Sequence, residues 1–190
     1  MANMTSVPVS EINVLALVEG IERRLEAGIP GPWLLSALAH APAQAAALET
    51  GLQAVADGGS LPPRLKLLVQ LQLSRRAGAR YFQAGLAGLL GRRHGLGEAA
   101  VEEILGDYDQ SSRVDDRERM ALRYAEQMYL DSKKIDDDFY AELRALFTDA
   151  EIIELASLLI LTYGLYRVTA ALGVPPGADA ELQTISPPST

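Results

Sequence analysis

The chain has no cysteine among its 190 residues. That absence excludes disulfides, thiolate nucleophiles and thiolate metal sites together. Histidine is nearly as scarce, with only His40 and His94 present. A two-histidine metal site would need both, from distant elements, so no metal ion is expected. Aromatic residues make up 6% of the chain, and tryptophan occurs once. Positive charge is the minority sign, with 17 Lys and Arg against 25 Asp and Glu and a net charge of -8. The basic residues are scattered apart from short pairs such as Arg75-Arg76 and Arg92-Arg93. The basic stripe that a nucleic-acid partner requires is missing. The opening MANMTSVPVS has no basic segment leading into an apolar run, so no signal peptide is visible and a cytoplasmic location is expected. One long apolar stretch, residues 152–172, carries Glu154 and Arg167 and is capped at both ends. It reads as a buried helix, and no membrane partner is expected.

What is present is helix. Strict apolar–polar alternation is absent and β-branched residues are sparse, so the fold class is all-α, with about nine helices. Residues 1–29 form an N-terminal arm and a helix that Ser10 caps and Gly28 stops. Residues 30–174 form the main domain, opening on the rigid turn Pro30-Gly31-Pro32 and a short helix over 33–40. Pro42 starts an alanine-rich helix over 43–56, and Asp57-Gly58-Gly59-Ser60 ends it.

The centre of the chain is the stretch 61–90, two consecutive helices joined at Ala77-Gly78. Pro62 and Pro63 suit a helix start, where a missing N–H costs nothing. Leu65, Leu67, Leu68, Val69 and Leu71 make the first helix apolar nearly all round, which marks it as buried. Further helices are expected over 97–105, 115–130 and 136–147, with loops at 106–114 and 131–135. Thr148 with Glu151 three residues on is a capping box for the last and most apolar helix, over 149–172. Residues 175–190, rich in Pro and Ser, read as a flexible tail.

These motifs resemble the carboxymuconolactone decarboxylase and alkylhydroperoxidase D-like superfamily. The frame is Leu61-Pro62-Pro63-Arg64-Leu65, Gly78 and Tyr81, preceded by the segment WLLSALAHAP at 33–42. Asp115-Asp116-Arg117-Glu118-Arg119 leading to Tyr124-Ala125-Glu126, the run from Phe147 to Leu155, and the closing Arg167 to Ala171-Leu172-Gly173-Val174 complete it. In redox members of the family, an acidic residue, two cysteines one helical turn apart and a histidine form the reactive centre. Those positions fall here on Leu67, Ala79, Phe82 and Leu86. None of these side chains can be oxidised or carry a proton, so peroxidase chemistry by that mechanism is excluded.

Two explanations follow. The centre has been filled with core side chains, or it has become an apolar ligand pocket lined by Leu67, Gln70, Ser74, Ala79, Phe82 and Leu86. Gln70 and Ser74 share the helix face of Leu67, and a buried glutamine needs a hydrogen-bond partner. Polar groups able to orient a ligand or stabilise an anion are Gln83 and, from the last helix, Tyr163, Tyr166 and Arg167. The alternative for the two tyrosines is amphipathic packing with the hydroxyls at the surface. For Arg167 it is an ion pair with Glu154 or Glu126. His40 and His94 read as structural, at helix ends. The resulting expectation is a cofactor-free enzyme acting on an apolar organic small molecule, by decarboxylation or another lyase step, isomerisation or ring closure. The alternative is a non-catalytic ligand-binding or structural protein. The resemblance implies a homo-oligomer (dimer, trimer or hexamer) in either case.

Overall fold

The structure, a computed structural model, describes residues 41–173; the helices expected over 12–27 and 33–40, His40, and the tail lie outside the described residues. Among the described residues there are seven α-helices and no strand. In chain order they are α1 (Pro42–Asp57), α2 (Pro63–Ala77), α3 (Arg80–His94), α4 (Glu98–Gly106), α5 (Asp116–Leu130), α6 (Asp137–Leu146) and α7 (Asp149–Leu172).

The helix boundaries follow local chemistry. Pro42 and Pro63 stand in the first turns of α1 and α2. Gly78 ends α2 in the left-handed conformation (φ 72°), and the N–H of Ala79 reaches back to the Ser74 carbonyl at 2.9 Å. Only a residue without a Cβ adopts that φ without strain, and the tight reversal lays α3 back against α2. Asp115 and Glu118 cap α5 reciprocally, and Thr148 and Glu151 do the same for α7. Residues 131–135, expected as a plain loop, contain a 3₁₀ turn (Ser132–Lys134), because the Asp131 carboxylate accepts the Lys133 N–H and tightens the chain.

α2 is the central element, packed against α3, α5 and α7. Eleven consecutive or near-consecutive side chains of it are buried, Leu65 to Ser74 and Ala77. α7 lies alongside, buried through Ile152, Leu155, Leu158, Leu159, Thr162, Leu165, Tyr166 and Thr169. Its length and composition alone would let it cross a membrane. In the fold, it packs against α1 and α2 as one wall of the core.

Candidate functional site

Leu67, Ala79, Phe82 and Leu86 all enter one buried core cluster. Their spacing brings this about: residues 79, 82 and 86 recur on one face of α3, and that face turns toward α2. Phe82 and Leu86 are 0% exposed and Leu67 is 2% exposed. Tyr166 of α7 closes the cluster from the far side. Its ring centroid is 4.7 Å from that of Phe82, tilted by 49°. Tyr81 meets Phe82 edge-on at 5.1 Å. Aromatic pairs at such offsets are favourable beyond the area they bury.

One polar pair lies inside this apolar surround. The Tyr166 hydroxyl donates to Gln70 Oε1 at 3.1 Å, across α7 and α2, and both residues are completely buried. Burial pushes the Tyr166 phenol well above its usual pKa. It therefore stays protonated over the physiological range and acts as a donor, never as a base. Ser74 is also fully buried and spends its hydroxyl on the Leu71 carbonyl within its own helix. Gln83, half-buried, donates from Nε2 to the Ser74 carbonyl at 3.3 Å, tying α3 to the end of α2.

Tyr163 and Arg167 do not join them. Tyr163 is 41% exposed and stacks edge-on against Tyr129 of α5, with centroids 5.7 Å apart. Arg167 is exposed. Arg167, one residue past Tyr166, is turned about 100° from it, and Tyr163, three residues before, stands on the flank of the same face toward Tyr129 of α5. The expected ion pair of Arg167 with Glu154 or Glu126 is not formed. Glu154 takes Lys66 instead, and Glu126 takes Arg76 and Tyr108. The amphipathic alternative, with both tyrosine hydroxyls outward, describes Tyr163 and is corrected for Tyr166.

In all, 98% of the chain aligns with the apo debrominase Bmp8, covering 99% of that chain, at 20% identity and a TM-score of 0.75. It aligns equally well with a cysteine-to-alanine variant of Bmp8 in complex with 2,3,4-tribromopyrrole, at 21% identity and a TM-score of 0.75 over 98% of each chain. An uncharacterised peroxidase-related protein from Silicibacter sp. TM1040 aligns over 94% of this chain and 92% of its own, at 19% identity and a TM-score of 0.75.

The chain has the alkylhydroperoxidase D-like fold.

No family model matches the sequence, and no curated protein matches it significantly. The likeness thus resides in the arrangement of helices. On this alkylhydroperoxidase D-like frame, the described residues offer no group of three or more His, Asp or Glu able to hold a metal ion.

Two features escaped the sequence reading. The first is a charged node. Lys66, 5% exposed, reaches Glu154 Oε1 at 2.6 Å and donates to the carbonyls of Gly58 at 2.6 Å and Val55 at 3.0 Å. Glu154 in turn accepts the N–H groups of Ser60, at 2.8 Å, and Leu61, at 3.3 Å. The second is a pair of clefts beside α7. One, of about 230 Å³, is lined by Leu73, Ala125, Met128, Tyr129, Leu159, Ile160 and Tyr163. The other, of about 310 Å³, lies where α5, α6 and α7 meet and has Tyr124, Tyr140 and Arg144 among its walls. A sequence signal for the second existed in Tyr140 and Arg144, one turn apart on α6, but their partner Tyr124 is on another helix.

Proposed function

We propose that this protein acts on an apolar organic small molecule without thiol, metal or redox cofactor, by a decarboxylation or other lyase step, an isomerisation or a ring closure. The observation that carries this reading is the Tyr166–Gln70 pair inside the Leu67, Ala79, Phe82 and Leu86 surround. In this reading the Tyr166 proton, accepted by Gln70 Oε1 in the free protein, turns to the ligand oxygen, and an apolar site with one such neutral donor suits recognition of a carbonyl or carboxylate on an apolar body. A phenol held protonated stabilises negative charge developing on oxygen as a C–C bond breaks or forms. It cannot abstract a proton, so any base the reaction needs is a group other than Tyr166. The bromopyrrole-bound debrominase of the same fold supports an organic ring as the kind of ligand the frame accommodates. Gln70 orients the Tyr166 hydroxyl, and Gln83 sits at the edge of the same helix pair.

The test is incubation of the protein, with no added thiol or cofactor, with a panel of unsaturated and aromatic carboxylic acids and halogenated pyrroles, followed by mass spectrometry. Turnover by the native chain and a loss of about 10²-fold in Tyr166→Phe are expected, the usual cost of removing one donor to a developing oxyanion. Turnover that survives Tyr166→Phe unchanged, or that needs an added thiol, would overturn the reading.

A second reading has its own observation. Phe82, Leu86 and Tyr166 are 0% exposed at the centre, while Ile153, Ile160 and Val168 stand at least half exposed on α7 at 67%, 67% and 50%. A packed centre beside an apolar helix face fits a non-catalytic homo-oligomer. Sedimentation of the native chain and of Ile160→Asp separates the two, since only the oligomer reading predicts dissociation together with absence of turnover across the panel.

A further inference from the structure

The cleft at the junction of α5, α6 and α7 carries a different kind of chemistry from the Phe82–Tyr166 centre. Its volume of about 310 Å³ is set against Ile152, Ile153 and Ala156 on one side and Tyr124, Tyr140 and Arg144 on the other, with Asp149 at the rim. That volume is at the lower end of the range that ordinary small-molecule pockets span. Three polar groups line it. Tyr124 is almost wholly buried, at 2% exposure, and its phenol interacts with that of Tyr140. Burial, chiefly, with the Tyr140 contact adding to it, pushes the Tyr124 pKa up to about 12. Tyr140 is only partly buried and lines the cleft, and a phenol hydroxyl can both donate and accept.

Arg144 adds the charge. Its guanidinium lies over the Tyr140 ring, 5.8 Å from the centroid. One edge, through Nε, holds Asp149 Oδ1 at 3.0 Å. With Nε on Asp149, the two terminal nitrogens form the second donor face that a guanidinium offers. The Asp149 contact is between two largely exposed side chains (62% and 81%) and is weak. The arrangement is thus an apolar slot with a phenol donor and a cation at one end.

We infer that this cleft is a second small-molecule site, selective for a compact apolar carboxylate whose carboxyl group meets Arg144 and the Tyr140 hydroxyl while its hydrocarbon body lies on Ile152, Ile153 and Ala156. The site is independent of the Tyr166–Gln70 pair and of the reaction proposed there.

The probes are 4-ethylbenzoate and its neutral analogue 4-ethylbenzamide, titrated into the full chain and followed by calorimetry and ligand-observed NMR. The acid is expected to bind about tenfold more tightly than the amide, the worth of charge-assisted hydrogen bonds. Arg144→Gln removes that preference, and Tyr140→Phe weakens the acid about three- to tenfold. Ala156→Leu fills the slot and abolishes binding of both probes. Asp149→Asn acts in the opposite direction, tightening the acid about two- to threefold by removing a like charge at the rim. A purely structural role for these residues predicts no such gain. Tyr166→Phe leaves all of these affinities unchanged, so failure here and failure of the proposed reaction are distinguishable. Equal affinity for acid and amide, an Arg144→Gln variant that keeps the preference while folded by circular dichroism, or no binding of either probe overturns the inference. So does a change of oligomeric state in Ala156→Leu without any probe binding to the native chain, which assigns the cleft to a subunit contact.

Discussion

Two buried regions hold α2 in place, and they do it by opposite means. Around Phe82 and Tyr166, the joint between α2, α3 and α7 is mostly apolar, with the neutral Tyr166–Gln70 hydrogen bond inside it. At the N-terminal end of α2, the joint between α1, α2 and α7 is an ion pair, Lys66 with Glu154, surrounded by backbone carbonyls and N–H groups. The apolar joint derives its stability from area removed from water and from close packing, and tolerates no void. The charged joint is stable because every donor and acceptor is used. The last carbonyls of α1, which have no partner within their helix, receive the ammonium, and the N–H groups preceding α2 receive the carboxylate. Gly59 belongs to this second joint. It sits at φ 82°, and a Cβ there would run into the Glu154 carboxylate. What the contrast teaches is where reactivity can reside. The charged joint is saturated by its own backbone, so its carboxylate and amine are structural despite being the kind of pair that catalysis uses.

The comparison is sharpened most by Phe82→Ala. It leaves a cavity beside Tyr166, and a loss of about 3–5 kcal/mol in unfolding free energy is expected by chemical denaturation. If an apolar ligand occupies that centre, the variant regains stability on adding it, in proportion to its binding. Lys66→Met comes next, with a loss of about 3 kcal/mol, the lower end for breaking a buried pair. Glu154 keeps the two N–H groups of Ser60 and Leu61, so its charge is not left bare. Activity measured in the proposed assay should survive Lys66→Met at a temperature where the variant is folded. Activity lost there without unfolding would break the distinction between the two joints.

The smallest effect concerns pH and the start of α7. Backbone hydrogen bonding from Thr148, and then the Arg117 guanidinium, hold the Glu151 carboxyl below the usual carboxylate range. The unfolded chain therefore binds this proton more readily than the folded one. The stabilisation is fully present above the ordinary carboxylate pKa and is lost as pH falls through the lower, folded value. Denaturation midpoints measured between about pH 6 and about pH 3 should show this part of the decline flattened in Glu151→Gln. An unchanged slope would mean that other carboxylates carry it.

Much of the fold was legible because helix punctuation is local. Thr148 and Glu151 announce the start of α7 and Gly173 its end, and the helix observed is Asp149–Leu172. Gly78, expected as the break between the central helices, is the left-handed cap that turns α2 into α3. The clustering of Leu67, Ala79, Phe82 and Leu86 was legible as a pattern, since spacings of three and four select one helix face. The orientation of the tyrosines on α7 was not. Tyr163 and Tyr166 are three residues apart in a helix that is apolar over most of its circumference, so no hydrophobic stripe in the sequence says which way it faces. Nor was the partner of Glu154. Lys66 is 88 residues away in the chain, and nothing near either residue marks the pairing. The Tyr124, Tyr140 and Arg144 cleft was missed for the same reason, being built from different helices.

By itself, the sequence determined that thiol chemistry is impossible for this protein and that its chain is helical, because the first depends on which atoms exist and the second on interactions within a few residues. Only the tertiary structure decided that Tyr166 faces inward to Gln70 while Tyr163 and Arg167 face out, that Lys66 and Glu154 neutralise each other, and that a phenol and a guanidinium share a cleft. Those are outcomes of how whole helices rotate and press against one another, and that rotation is fixed by the sum of packing over all of α2, α3, α5 and α7 rather than by any one stretch of residues.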